Sequence, residues 1–155
     1  MRPAPARLLL AIWFGALQAC VGSGQGAREE PPQGPLPDGV TPTGYRLELE
    51  IVPERERFAG EALIQLELAR PLRAFWLHAQ DLRVREVGLG LPGGERLPAS
   101  LELRGDTGLA EVRLPRLAGP GPATLHVIWD APLGRQLRGL YRVDVGEDAY
   151  AFSQF

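Results

Sequence analysis

Between Gly44 and Ala69 the chain alternates apolar and polar residues twice, with a short charged break between the two runs (GYRLELEIV-PERER-FAGEALIQLELA). Tyr45, Leu47, Leu49 and Ile51 interleave with Arg46, Glu48 and Glu50. Ala62, Ile64, Leu66 and Leu68 then share one face, with Gln65 and Glu67 on the other. A period of two collects apolar side chains on one side of a pleated strand, and a helix of the same sequence would scatter them. Residues 53–57 form a polar connection of hairpin length. The pattern therefore predicts an antiparallel β-hairpin.

The segments that follow read the same way. Phe75 and Leu77 alternate with Trp76 and His78, and Leu82 and Val84 with Arg83 and Arg85. Leu101 and Leu103 flank Glu102; Ala110, Val112 and Leu114 interleave Glu111 and Arg113; Ala123, Leu125, Val127 and Trp129 form a further stripe. Leu140 to Val143 and Tyr150 to Phe152 complete the set. The breaks are turn chemistry: Pro71, Leu91-Pro-Gly-Gly94, Gly105-Asp-Thr-Gly108, Gly119-Pro-Gly-Pro122 and Asp130-Ala-Pro132. No segment keeps an apolar stripe at helical spacing over three turns. Short, regularly spaced strands predict an all-β fold, an antiparallel sandwich or curved sheet.

The amino terminus reads as an address. Arg2 and Arg7 precede a ten-residue apolar run, residues 8–17 (LLLAIWFGAL), which is too short to span a bilayer as a stable helix. It ends in Leu17-Gln18-Ala19-Cys20, which resembles the lipobox of bacterial lipoproteins, where the Cys is acylated and becomes the first residue. Cys20 is the only cysteine, so an exported chain has no internal disulfide to lean on. The alternative is an ordinary secretory signal with Cys20 incidental. Residues 1–19 are thus expected to be a lipoprotein-type signal peptide. Val21 rather than Asp after the Cys favours the outer membrane of a Gram-negative cell, facing the periplasm or exterior. Residues 20–41 are rich in Gly, Pro, Gln and Glu and read as a disordered tether. The folded domain is expected over 42–155.

Little in the chain carries chemistry. All 17 basic residues are Arg, scattered among 19 acidic ones, and no basic stripe interleaves with aromatics; nucleic acid is not an expected partner. Gly88-Leu-Gly90-Leu-Pro-Gly93 spells G-x-G-x-x-G, but Pro92-Gly93-Gly94 announces a turn where a dinucleotide site needs a helix. His78 and His126 have no partner at metal-ligand spacing and read as surface or turn-capping residues. Ser23, Ser100 and Ser153 sit in no nucleophile motif. Glu54 and Glu56, between Arg55 and Arg57, read as a solvated turn. No catalytic residue and no metal ligand is assigned.

From Pro42 onward the chain resembles the N-terminal domain of the aminopeptidase N-like zinc metallopeptidases, the gluzincin aminopeptidases. The resemblance rests on Pro42 and Tyr45 ahead of the first strand, Phe58-Ala-Gly60 entering the second, Leu77-His78-Ala79 followed by Leu82, Gly139-Leu-Tyr-Arg142, and Ser153-Gln154-Phe155 where the family has Thr-Gln-Phe-Glu. It covers the whole folded region, and Ser153 is a conservative departure.

The resemblance implies a parent enzyme that removes single amino acids from peptide N-termini, with water activated by a zinc held by H-E-x-x-H and a distant Glu. It also implies a G-x-M-E-N loop that grips the free amine. Neither motif occurs here: the only Met is Met1 and no His-Glu pair is present. The implied reading is an aminopeptidase domain truncated before its catalytic part. It would be inactive alone and without a cofactor of its own, with Zn2+ and the peptide substrate handled by the missing domain. One residue carries over. Gln154 stands where the family's Gln lines the site for the substrate's first residue. The competing reading is a non-enzymatic, lipid-anchored β-sandwich binding or scaffold module, since fold does not fix function.

Overall fold

The computed structural model of the protein describes residues 30–137 and 139–154. Ten strands run in order: β1 (Val40–Glu50), β2 (Arg57–Leu68), β3 (Leu72–His78), β4 (Arg83–Gly90), β5 (Arg96–Pro98), β6 (Ser100–Leu103), β7 (Leu109–Ala118), β8 (Gly121–Pro132), β9 (Gly139–Val145) and β10 (Asp148–Gln154). Among the described residues two single 3-10 turns, Pro92–Gly94 and Gly105–Thr107, interrupt them. The first of these turns closes the β4–β5 hairpin, so Gly88, Gly90 and Gly93 serve a turn and no nucleotide loop.

The strands form a five-stranded sheet in the order β1-β2-β8-β4-β5, a three-stranded sheet β3-β7-β6, and the hairpin β9-β10. Every strand pairing is antiparallel. The opening alternation does form a hairpin, with Tyr45 opposite Ile64 and Leu47 opposite Ala62. β1 takes in Val40 and Thr41, and Ala69 N–H donates to the Gly39 carbonyl at 2.9 Å, so the ordered fold starts slightly before the change in composition at Pro42. Residues 1–29, with the signal segment, Cys20 and the first part of the tether, lie outside the described residues.

The core lies between the two larger sheets. Leu66 and Leu68 of β2, Ala123, Leu125 and Val127 of β8, Leu89 of β4 and Leu97 of β5 meet Leu72 and Phe75 of β3 and Val112, Leu114 and Ala118 of β7. Each fully buried Leu removes enough apolar surface from water to stabilise the fold by about 1.5–3 kcal/mol. The smaller sheet covers only part of the larger one. The apolar face of β1 is left open: Tyr45 is 71% exposed and Leu47 56%. The same alternation thus makes core in β2 and surface in β1.

One register shift matters later. β4 pairs Val84 with Trp129 and Glu86 with Ile128, so Arg85 is the extra residue of a β-bulge. The bulge keeps both Val84 and Val87 against the core, three residues apart, which strict alternation would forbid.

Candidate functional site

The β9–β10 hairpin brings together two segments that lie far apart in the sequence pattern. Gln154 pairs in register with Gly139, Ser153 with Leu140 and Phe152 with Tyr141. The Gly-Leu-Tyr-Arg and Ser-Gln elements are therefore one structural unit. Two residues, Gly146 and Glu147, close it, with Gly146 at φ +65°, the left-handed backbone that such short turns demand.

Tyr141, Val143, Tyr150, Phe152 and Gln154 fall on one face of the hairpin, since directly paired residues and alternate positions share a side. Phe152 stacks on Tyr141, with ring centroids 5.9 Å apart and planes 26° from parallel. Tyr150 and Phe152 are both about half exposed. Gln154 is exposed at the end of this aromatic row. A neutral amide there offers two donors and one acceptor oxygen to a ligand and no proton-transfer chemistry.

The hairpin is fastened to the rest of the domain at this same open end, opposite its Gly146–Glu147 turn. Gly134 N–H donates to Leu140 O at 3.1 Å, and Arg142 N–H to Gly134 O at 2.9 Å. Arg142 reaches the Glu54 carbonyl at 3.2 Å, which ties the hairpin to the β1–β2 turn. Its Nε and Nη2 both hold Asp144 at 2.6 Å, and Arg135 adds a contact at 2.7 Å. The Arg142 hydrogen bond, aided by Arg135, keeps the Asp144 carboxyl below the usual aspartate range despite some desolvation.

His126, read from the sequence as a surface or turn-capping residue, has polar partners on either side. It lies on the outer face of β8, where its Nε2 is 2.6 Å from Glu61 of β2 and its Nδ1 is 2.6 Å from Arg96 of β5. Arg96 also bonds Glu86 at 2.6 Å. An arginine can only donate, so the geometry fixes Nδ1 as acceptor and Nε2–H as donor to Glu61. This polar chain crosses four strands and was invisible in the linear sequence. His78 ends β3, exposed, in the three-stranded sheet.

Glu111 is a second surprise. It is 0% exposed although it alternates with the core positions of β7. Arg104 hydrogen-bonds it, and Arg113 Nη2 stands 2.7 Å from its Oε1 without the alignment of a hydrogen bond; Arg104 also lies 5.7 Å from the Trp76 ring centroid. A carboxylate so deeply buried is tolerated because one guanidinium bonds it and the charge of a second lies beside it.

Among the described residues no group of three or more His, Cys, Asp or Glu assembles to hold a metal ion. His126 is occupied by Glu61 and Arg96. These residues do not fit a catalytic zinc, which needs three protein ligands and an open position.

Comparison with known proteins gives this arrangement a context. Residues 41–155 match the family model described as the peptidase M1 N-terminal domain. The chain is similar to glutamyl aminopeptidase of Rattus norvegicus, 29% identical over 119 residues, covering 73% of this chain and 13% of that protein. It is 34% identical to the Mus musculus glutamyl aminopeptidase over 64 residues, covering 41% of this chain and 7% of that protein. The Bos taurus protein is 28% identical over 113 residues, covering 69% of this chain and 12% of the relative. The chain thus spans roughly an eighth of the length of the first of these relatives.

Proposed function

Since this chain belongs to the peptidase M1 N-terminal domain family, we propose that it is the N-terminal β domain of a zinc-dependent aminopeptidase that removes N-terminal residues from peptides. Zinc and water activation would belong to a catalytic domain outside these 155 residues. The described residues contribute a scaffold and one substrate-facing group. The observation that carries the reading is the exposed Gln154, at the end of the Tyr141–Phe152 face of a hairpin anchored to the sandwich through Arg142 and Gly134. From there it would hydrogen-bond the substrate near its free amine.

The reading extends to location. Cys20 would be acylated and the mature protein held to a bacterial membrane, the outer membrane being favoured, because two or more acyl chains at about 0.8 kcal/mol per buried CH2 anchor stably. Mass spectrometry of the mature N-terminus tests this: a product starting at an acylated Cys20 supports it, and one starting elsewhere removes it.

The activity is tested on the protein joined to whatever coding sequence follows residue 155. Hydrolysis of aminoacyl amides that a chelator abolishes and zinc restores is the expected result. A product with no metal-dependent aminopeptidase activity, carrying an intact β domain, would favour the binding-module reading.

A further inference from the structure

At the end of the five-stranded sheet nearest the β1–β2 turn, the outer face carries four arginines around one buried acid. A cavity of about 600 Å3 is lined there by Arg55, Arg57, Arg83 and Arg85, with Asp130, Glu50 and Glu56. Asp130 of β8 is 5% exposed. Its Oδ2 accepts from Arg57 Nε at 2.5 Å and its Oδ1 from Arg85 Nε at 2.9 Å.

The use of Nε is the informative detail. A guanidinium that binds its internal partner through Nε keeps its terminal nitrogens for something else. Arg57 gives one of them to the Asp130 carbonyl at 3.0 Å. For Arg85 the Nε contact with Asp130 is the one polar contact within the described residues. Arg83, opposite Asp130 in register, has no carboxylate partner among the described residues. Arg55 is held by Glu50 at 3.3 Å.

The backbone is shaped around these groups. Arg83 and Arg85 share the outer face by alternation, and the β-bulge at Arg85 returns Val87 to the core side beyond them, with Val84. Bulges re-aim side chains in this way and recur beside functional sites. A stability role alone would need one arginine for Asp130, and here two are locked and a third is left beside them.

We propose that Arg57, Arg83 and Arg85 form a binding site for a phosphate-class oxyanion, with Asp130 as the positioning residue that sets two of the guanidiniums. A tetrahedral anion presents acceptor oxygens in more directions than the two in-plane oxygens of a carboxylate, which suits it to guanidiniums that reach in from different strands. Glu56 on the rim opposes the anion by charge. This inference is independent of the proposed peptidase role and of Gln154.

The test uses the full chain and inorganic phosphate at constant ionic strength, followed by calorimetric titration and by the midpoint of thermal unfolding. Saturable binding with a rising midpoint is expected, since a ligand bound to the folded state stabilises it. Arg83→Gln and Arg85→Gln should each weaken phosphate by about tenfold, the loss of one charge-assisted contact. Arg83→Gln breaks no ion pair and keeps the fold as its own control. Glu56→Gln should tighten binding. A second arm compares phosphatidic acid vesicles with phosphatidylcholine vesicles. Vesicle binding that phosphate displaces assigns the anion to a lipid headgroup, binding of free phosphate alone assigns it to solution, and both support the site. Binding of neither, an equal response to chloride, or wild-type affinity in both Arg variants would overturn it.

Discussion

Gly60 makes room for Trp129. The two residues are paired across β2 and β8, and a Cβ on Gly60 would stand 2.3 Å from the Trp129 ring. Phe58, two residues earlier on the same face, meets Trp129 edge-on at 5.4 Å with planes 85° apart. The Phe-x-Gly element of this chain is therefore a packing device. Phe58 presents a ring edge to the indole, and Gly60 lets the indole lie flat on the backbone.

Gly60→Ala should destabilise the domain by about 1–3 kcal/mol, the usual cost of overpacking a fitted site. Denaturant unfolding measures it. Gly60→Ala with Trp129→Phe should recover part of the loss, because the smaller ring can retreat. An unchanged midpoint in Gly60→Ala would mean that Trp129 moves aside freely.

The Asp130 carboxyl is held below the usual aspartate range, chiefly by its hydrogen bond to Arg57 and then by Arg85, against some desolvation. The unfolded chain has an ordinary Asp, near pH 3.9. A lowered folded value means the unfolded state binds the proton more readily, so the contribution is fully present above about pH 4 and fades as pH falls through the folded value. Asp130→Asn should thus be less stable than wild type at neutral pH, with the gap closing in acid below pH 4. Thermal unfolding from pH 7 to pH 2 shows this; a gap that is constant with pH would contradict it.

Leu47 and Leu125 occupy equivalent alternating positions yet are 56% and 1% exposed. Leu125→Ala should cost about 2–5 kcal/mol. Leu47→Thr should change stability by no more than about 0.5 kcal/mol. The open β1 face and the unpaired edges of β1 and β10 should also make the chain self-associate, and Leu47→Thr should reduce this. Sedimentation at rising concentration gives the answer, with a strictly monomeric wild type counting against it.

On the proposed function, Gln154→Ala in the chain joined to its catalytic domain should lower kcat/KM by about one lost hydrogen bond, roughly 1–3 kcal/mol, with zinc content unchanged. Kinetics on several first residues are the measure. Intact kcat/KM across them would leave Gln154 as the end of a strand and nothing more.

The strands and their turns were legible in the sequence because alternation and turn residues are local properties of the backbone. Residues 44–69 announced their hairpin, and Gly-Pro clusters marked the breaks at Pro92, Gly105 and Gly119. The sites were less legible because their partners come from other strands. Glu61, His126, Arg96 and Glu86 lie on four different strands, and nothing in the spacing of His126 points to any of them. Alternation puts Arg83 and Arg85 on one face, but their meeting with Asp130 depends on β8 lying next to β4.

That this chain is a set of antiparallel strands, which of their faces are apolar and where the chain turns can all be read along its length, since they follow from side-chain period and backbone preference. Which apolar faces are buried depends on how the sheets pack. The three-stranded sheet is narrower than the five-stranded one and covers Leu66 and Leu125 while leaving Tyr45 and Leu47 open. Packing also sets which charges meet, putting Glu111 between Arg104 and Arg113 and Asp130 between Arg57 and Arg85. Burial and ion pairing depend on what one strand finds across from it, and strand order across a sheet is fixed by long-range packing rather than by neighbours in the chain.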